Sequence, residues 1–404
     1  MSASIPLSRP SVGDLEIQYV TDVLRSGMLS LGPSVPKFER RFASYVGRNH
    51  AVAVNSGTSA LHLCIRAMGI GSEDEVITSS FSFVASTNCI LYEGAVPVFL
   101  DIDPDSFNLS AEQVHRFLSQ RCERNSEGHC INKYTGRRVK AILPVHVFGM
   151  PCDMDAMQRL AQEYGLFLIE DACEALGAEY HGRRAGTFGH AASFAFYPNK
   201  QMTTGEGGMI VTDDDAVAEV CRSMRNQGRN EKSEWLDHAR LGFNDRLSDI
   251  HAALGIAQLE RLDDLLSQRQ SVAESYDKQL RGIPGLLTPK QISGSKRSWF
   301  VYVVQLPSNA GSEVRDEVLR LLRSSGIGCQ AYFPAIHRQP YMKGMYFCPF
   351  GRLAETELAS DQCLAIPFFS AITPSQISAV CRALKEAVKE VSGHMAAQVA
   401  GSRS

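Results

Sequence analysis

The segment FAFYPNKQMTTGEGGMIVT, residues 194–212, reads as a strand, a lysine, a glycine cluster and a second strand. A lysine set between two apolar strands is costly to bury as a charge. One chemical reason to place it there is covalent, because a neutral lysine amine forms Schiff bases with carbonyl compounds. The competing reading is a lysine in an exposed loop. The glycines that follow permit close backbone approach, to a ligand or within a plain turn.

Outward from this segment, short β-rich runs alternate with helical periodicity. Strands are expected at 50–54, 75–78, 96–100, 141–145, 167–170, 192–196 and 208–211, and helices at 59–68 and 85–92. Such an alternation implies an α/β fold with a mostly parallel sheet covered by helices. Ligands in that architecture gather at the carboxyl ends of strands. Beyond 252 the pattern changes. A long amphipathic helix is expected at 252–276, then a Gly/Pro break at 282–285. A strand at 299–306, a helix at 313–324, a strand at 328–332 and a last helix at 374–391 follow. We therefore expect a large domain over 1–265, a smaller α+β domain over 266–392 and a disordered tail over 393–404. Residues 119–138 form a polar insertion.

The chain has 404 residues, an apolar fraction of 44% and a formal net charge of -3, ordinary values for a globular protein. That charge, with no basic run, gives no electrostatic reason to expect nucleic acid. No apolar run approaches the roughly 18 residues of a membrane span, and residues 1–13 show no signal peptide. Eleven scattered cysteines, never in a CxxC pair, point to reduced thiols and a cytoplasmic protein. Cys122, Cys130 and His129 lack the second ligand pair that zinc requires, and no metal is expected.

Three further segments carry polar groups where the sheet would present a ligand. GLFLIEDACEALG, residues 165–177, is an apolar strand ending in Glu170 and Asp171. These carboxylates either face a ligand, with Asp171 the candidate, or cap the next helix. NSGTSALHLCIRAMGI, residues 55–70, runs from a strand through Gly57, Thr58 and Ser59 straight into a helix. Free amides at such a helix start bind phosphate well, although an ordinary capped helix looks the same. SSFSFVAS, residues 79–86, offers Phe83, or alternatively Phe81, to cover a planar ring.

In order along the chain, NSGTSALHL, PVFLDIDP, ILPVHVFG, IEDACEALGAEY, FYPNKQMTTGEGG and GFNDRLSDIHAALG resemble the nucleotide-sugar aminotransferases of the DegT/DnrJ type. The resemblance runs from about residue 6 to 391. It implies the aspartate-aminotransferase fold, that is, the fold type I of pyridoxal-phosphate-dependent transferases. By the same resemblance Lys200 is the Schiff-base lysine and proton shuttle, and Asp171 the partner of the pyridine nitrogen. Phe83 is the stacking aromatic, and Gly57, Thr58 and Ser59 are the phosphate turn. Glu174 falls close to the cofactor. Asn244 and Arg246 reach the neighbour's cofactor phosphate in a homodimer with composite active sites. His337 lies on the substrate side. Many members carry a phosphate-binding serine two residues after Ser193. Here that position is Ala195, so Ser193 or another group replaces the contact, or one contact is lost. The implied cofactor is pyridoxal 5'-phosphate, the implied donor L-glutamate and the implied acceptor a nucleotide-linked keto-sugar. The rival within the same fold is an enzyme of amino acids or keto acids.

Overall fold

The computed structural model describes residues 4–229, 237–307 and 311–401. Its main sheet is built from seven strands: β1 His50–Val54, β2 Asp74–Ser79, β3 Val96–Leu100, β4 Arg138–Ile142, β5 Phe167–Asp171, β6 Ala191–Ala195 and β7 Gly208–Thr212. Their order is β1-β7-β6-β5-β4-β2-β3. Six run the same way, and β7 runs against both its neighbours. The Lys200 loop joins β6 to β7, so it lies at the edge where the other six strands end. The strands are mostly buried, as a sheet covered by helices requires, although Asp74–Ser79 and Arg138–Ile142 carry charged residues at their starts.

The expected polar insertion folds as a hairpin, Cys122–Arg124 against Cys130–Asn132, which extends the sheet through β4. The helix expected at 252–276 is two helices, Asp249–Glu260 and Leu262–Leu280. Arg261 breaks the run: its guanidinium turns to Glu16 (3.0 Å) and to the Ser11 hydroxyl (3.1 Å).

A second, antiparallel sheet holds β8 Tyr302–Gln305, β9 Gln330–Ala331 and β10 Cys363–Ile366, with β10 in the middle. β10 was not expected from sequence, being four residues directly after the helix Ala354–Gln362. Around this sheet a separate apolar core gathers Tyr276, Tyr302, Leu322, Phe368 and Leu384. Ile5 joins it too, so the start of the chain packs with the C-terminal part rather than with the large sheet. The last helix is Pro374–Gly401. It runs past 391, where the sequence reading ended it, because Met395, Ala396, Ala397 and Gln398 are good helix formers and no proline interrupts them. Only 402–404 of the expected tail lie outside the described residues. Among the described residues no helix is long and apolar enough to cross a membrane.

The end of β5 is held by a buried charge. Successive residues of a strand point to opposite faces, so Glu170 and Asp171 diverge. Glu170 is 0% exposed. It accepts hydrogen bonds from the N–H groups of Gly186 (2.8 Å), Phe188 (2.7 Å) and Gly189 (2.7 Å), and pairs with His146 Nε2 at 3.2 Å. Burial pushes its carboxyl up, but the His146 bond and these amides outweigh it and hold the carboxyl below its ordinary value. Its folded form is therefore favoured above the unfolded carboxyl range, and that contribution is lost as the pH falls through its depressed value. Glu170→Ala should destabilise the protein by about 3 kcal/mol or more, because several buried donors lose their acceptor at once. Thermal unfolding near neutral pH checks this; an unchanged midpoint would show that water replaces the carboxylate.

Candidate active site

The helix Gly57–Ala67 starts at the end of β1. Ser56 caps it, its hydroxyl accepting from Ser59 N (3.0 Å). The amide of Ala60 is taken by the Ser56 carbonyl (3.1 Å). The first two amides, Gly57 and Thr58, have no acceptor among the described residues, and both residues line a cavity at the strand ends. Close approach makes this cradle. A Cβ on Gly208 would lie 2.3 Å from the Ser56 carbonyl oxygen, and one on Gly57 would lie 2.6 Å from Ala195 Cβ. Larger residues at either position would push the turn and the sheet apart.

The cavity, about 390 Å³, brings together Gly57, Thr58, Phe83, Asp171, Glu174 and Lys200. Lys200 Nζ lies 3.8 Å from Glu174 Oε1 and 4.3 Å from the centre of the Phe300 ring. Glu174 also accepts from Phe148 N (2.8 Å). Burial pushes its carboxyl up to about 7, against the opposing pull of Lys200 and the Phe148 amide. Asp171 is buried and accepts from Cys173 N (3.1 Å). Burial raises its carboxyl too, with that amide and Lys200 pulling the other way. The site thus holds two desolvated carboxyls that a bound cation would stabilise. Phe83 is 62% exposed and reaches the cavity, whereas Phe81 is wholly buried among Phe107, Phe148 and Phe333.

Other residues singled out in the sequence lie elsewhere. The Ser59 hydroxyl turns inward to Asn55 Oδ1 (2.7 Å) and Ser56 Oγ (3.0 Å), closing the turn instead of lining the cavity. Ser193 is buried beside Asp171 in the β5–β6 register, 3.5 Å from the Glu170 carbonyl oxygen, and does not line the cavity. Ala195 does. His337 is drawn away by Ser80, whose hydroxyl accepts from His337 N (2.9 Å) and bonds Nδ1 (2.7 Å). That histidine latches the C-terminal part to the end of β2. Burial lowers its pKa, opposed by Glu357. Arg246 bonds Asn226 Oδ1 (2.9 Å) and lines another cavity, about 480 Å³, with Arg222, Arg225 and Leu31. Asn244 sits beside it, bridging Asn226 in the backbone.

Several groups at the site went unread. Tyr197, Asn199, Glu206, Cys173, Tyr332 and Phe333 also line the cavity. Arg269 is buried and donates to four backbone carbonyls: Lys200 (2.7 Å), Phe300 (3.2 Å), Trp299 (3.5 Å) and Asn199 (3.5 Å). It therefore clamps the lysine loop to the segment leading into β8. Its sequence signal was a charge on the buried face of a helix, at the spacing of Leu262, Leu265, Val272 and Tyr276. Gln201 makes a second tie, from Nε2 to the Glu174 carbonyl (2.6 Å) and to Ser298 Oγ (3.1 Å).

The pattern of the DegT/DnrJ/EryC1/StrS aminotransferase family matches residues 10–385. GDP-perosamine synthase of Caulobacter vibrioides is 37% identical over 390 residues, 95% of this chain and 98% of that protein. The spore coat polysaccharide biosynthesis protein SpsC of Bacillus subtilis is 35% identical, over 95% of this chain and 97% of its own. Among solved structures, DesV of S. venezuelae in complex with a ketimine intermediate superposes with a TM-score of 0.83 at 33% identity, covering 96% of this chain and 99% of its own. The match in sequence is nearly end to end, and the chain belongs to the DegT/DnrJ/EryC1/StrS aminotransferase family.

Proposed function

We propose that this chain holds pyridoxal 5'-phosphate at Lys200 and moves an amino group from L-glutamate to a keto-sugar carried on a nucleotide. The observation that carries the reading is the convergence of Lys200, Asp171, Glu174, Phe83 and the Gly57–Thr58 amides on one cavity. These residues fit the cofactor: two amides at a helix start suit its phosphate, and a buried carboxylate with a raised pKa suits a protonated ring nitrogen. When bound, pyridoxal phosphate supplies an aldehyde that exchanges amines and a ring that takes up electrons from the α-carbon. Lys200 offers the amine and, once released, carries the proton as base and then acid. Asp171 would keep the ring nitrogen charged, and Phe83 would pack against the ring. Glu174, 3.8 Å from the lysine, holds or yields a proton near neutral pH.

The acceptor follows from what lines the cavity. Among the described residues the lining includes no arginine. A fork of donors suits a carboxylate, and its absence among the described residues of one chain bears on L-glutamate as much as on a keto acid, so the reading of the acceptor rests on the aromatic lining. Phe83, Tyr197, Tyr332 and Phe333 suit a sugar or a base. The names of the relatives GDP-perosamine synthase and DesI with its TDP-sugar product agree in class.

We propose further that the protein is a homodimer with composite sites, in which Asn244 and Arg246 of one protomer serve the cofactor phosphate of the other. Support comes from Leu31, which lines the Arg246 cavity and is 69% exposed, and from further exposed apolar side chains at Met28, Leu29 and Leu241. All eleven cysteines are unpaired, which suits a reducing compartment, the cytoplasm. A large unit over 1–265 and a smaller one over 266–392 complete the reading, with the separate apolar core around β10 as its support.

Three outcomes test this. Protein loaded with pyridoxal phosphate should show a visible absorption band that borohydride abolishes. Lys200→Ala should lose that band and transamination by orders of magnitude; near-normal turnover would overturn the assignment. In the second half-reaction a nucleotide-linked keto-hexose should exceed free keto acids other than 2-oxoglutarate in kcat/KM. A tenfold preference for such a keto acid, about 1.4 kcal/mol, would favour the amino-acid rival. Mixing the inactive variants Lys200→Ala and Arg246→Ala should restore about a quarter of wild-type activity, since half the dimers then hold one intact site. No recovery would place Arg246 at its own chain's site or nowhere near one.

A further inference from the structure

Behind the lysine loop lies a second polar cavity, about 600 Å³, that shares no lining residue with the first. Tyr45, Arg184, Gln270, Ser295, Arg297 and Trp299 define it. Its floor, Ser298–Trp299, is the segment that Gln201 and Arg269 tie to Lys200 and Glu174.

Two guanidiniums face this space, and neither has a carboxylate within ion-pair distance among the described residues. Arg297 is 6% exposed. It lies 4.9 Å from the Trp299 ring centre and donates only to the carbonyls of Phe148 (3.3 Å) and Lys290 (3.2 Å). Its Nε has no acceptor, and neither does the buried Ser295 Oγ. Desolvation lowers the Arg297 pKa to about 10, so the group stays charged at neutral pH. Arg184 stacks at 4.1 Å on the Tyr45 ring. Three acids lie nearby, none within ion-pair distance of either guanidinium among the described residues: Glu179 pairs with Lys296 (3.1 Å), Asp263 accepts from the Tyr45 hydroxyl (3.3 Å), and Asp277 accepts from the Tyr302 hydroxyl (2.5 Å) while favouring the charged Arg297.

A buried charge without a counter-charge is unfavourable, and a guanidinium cannot escape by losing its proton. Forked N–H donors match oxyanions with two or more acceptor oxygens. We infer that this cavity binds a small oxyanion, a phosphate or a dicarboxylate, between Arg184 and Arg297, with Ser295 Oγ as a further donor. The ligand supplies the directly bonded acceptor that no carboxylate among the described residues offers either guanidinium. The inference stands on these side chains alone and does not depend on the transamination reading.

The test is calorimetric titration of the cofactor-loaded protein, at constant ionic strength, with inorganic phosphate and separately with malonate. Loading keeps the cofactor's own phosphate subsite filled. At least one anion should bind saturably, once per chain. Affinity should fall by about tenfold or more in Arg184→Gln, which sits on a partly exposed hairpin and leaves the core intact, and also in Arg297→Lys. Phosphate alone identifies a phosphoryl ligand, malonate alone a dicarboxylate, and both together the shared oxyanion chemistry. If neither anion saturates, the inference fails. It fails equally if binding survives Arg184→Gln undiminished, since the anion then lies elsewhere, as in the arginine-lined cavity at Arg246.

Discussion

A buried carboxylate has to be met by fixed donors, and at the end of β5 that requirement organises the surroundings of the active site. Glu170 draws the amides of Gly186, Phe188 and Gly189 onto one face of the strand, with His146 beside them. Those contacts hold the last residues of β5 in register with β6, where Ser193 pairs with Asp171. The pleat then leaves Asp171 no direction but the opposite face, toward the cavity. One carboxylate anchors the strand, and its neighbour becomes available for chemistry. The same pair read from sequence left helix capping open as an alternative. The structure assigns the anchoring to Glu170, and only the Asp171 carboxylate, through Cys173 N, bonds the segment that follows.

A second constraint is closeness. The turn after β1 can lie against the start of β7 only because Gly208 has no side chain to strike the Ser56 carbonyl. That approach puts the Gly57 and Thr58 amides across the cavity from the lysine loop. Ala195 fits the same logic, since a Cβ on Gly57 would already crowd it. Ser193 is buried one pleat repeat back along β6 and does not line the cavity.

Much of this was legible in the sequence, for identifiable reasons. The large sheet was readable because each strand is a short apolar run ending in turn residues, and its strands differ from expectation mostly at their ends. Lys200, Asp171, Phe83, Gly57 and Thr58 were readable because they lie at or within a few residues of strand ends, whereas Glu174 was read only through the family resemblance. What escaped depends on contacts distant in sequence. β10 has no alternation of its own and is a strand because β8 and β9 flank it. The break at Arg261 exists because Glu16, some 245 residues away, attracts the guanidinium. His337, which the family resemblance puts on the substrate side, bonds the Ser80 hydroxyl through its ring, a contact between residues 257 positions apart.

The clamp on Lys200 links these observations. The role proposed for Lys200, nucleophile and then proton carrier, calls for a mobile side chain on a fixed backbone. Arg269 and Gln201 provide the fixed part, holding the carbonyls of Lys200 and Glu174 against the segment 298–300. The side chain stays free of strong partners, with Glu174 at 3.8 Å and an aromatic ring on its other side. Because Arg269 bonds carbonyls and no carboxylate, its charge remains at the rear of the site without neutralising Asp171 or Glu174. Both carboxyls stay raised by burial, with Lys200 the cation that pulls on each. The polar demand at the front and the guanidinium excess at the back meet across one stretch of backbone, residues 298–300, and the lysine loop rests on it from one side only.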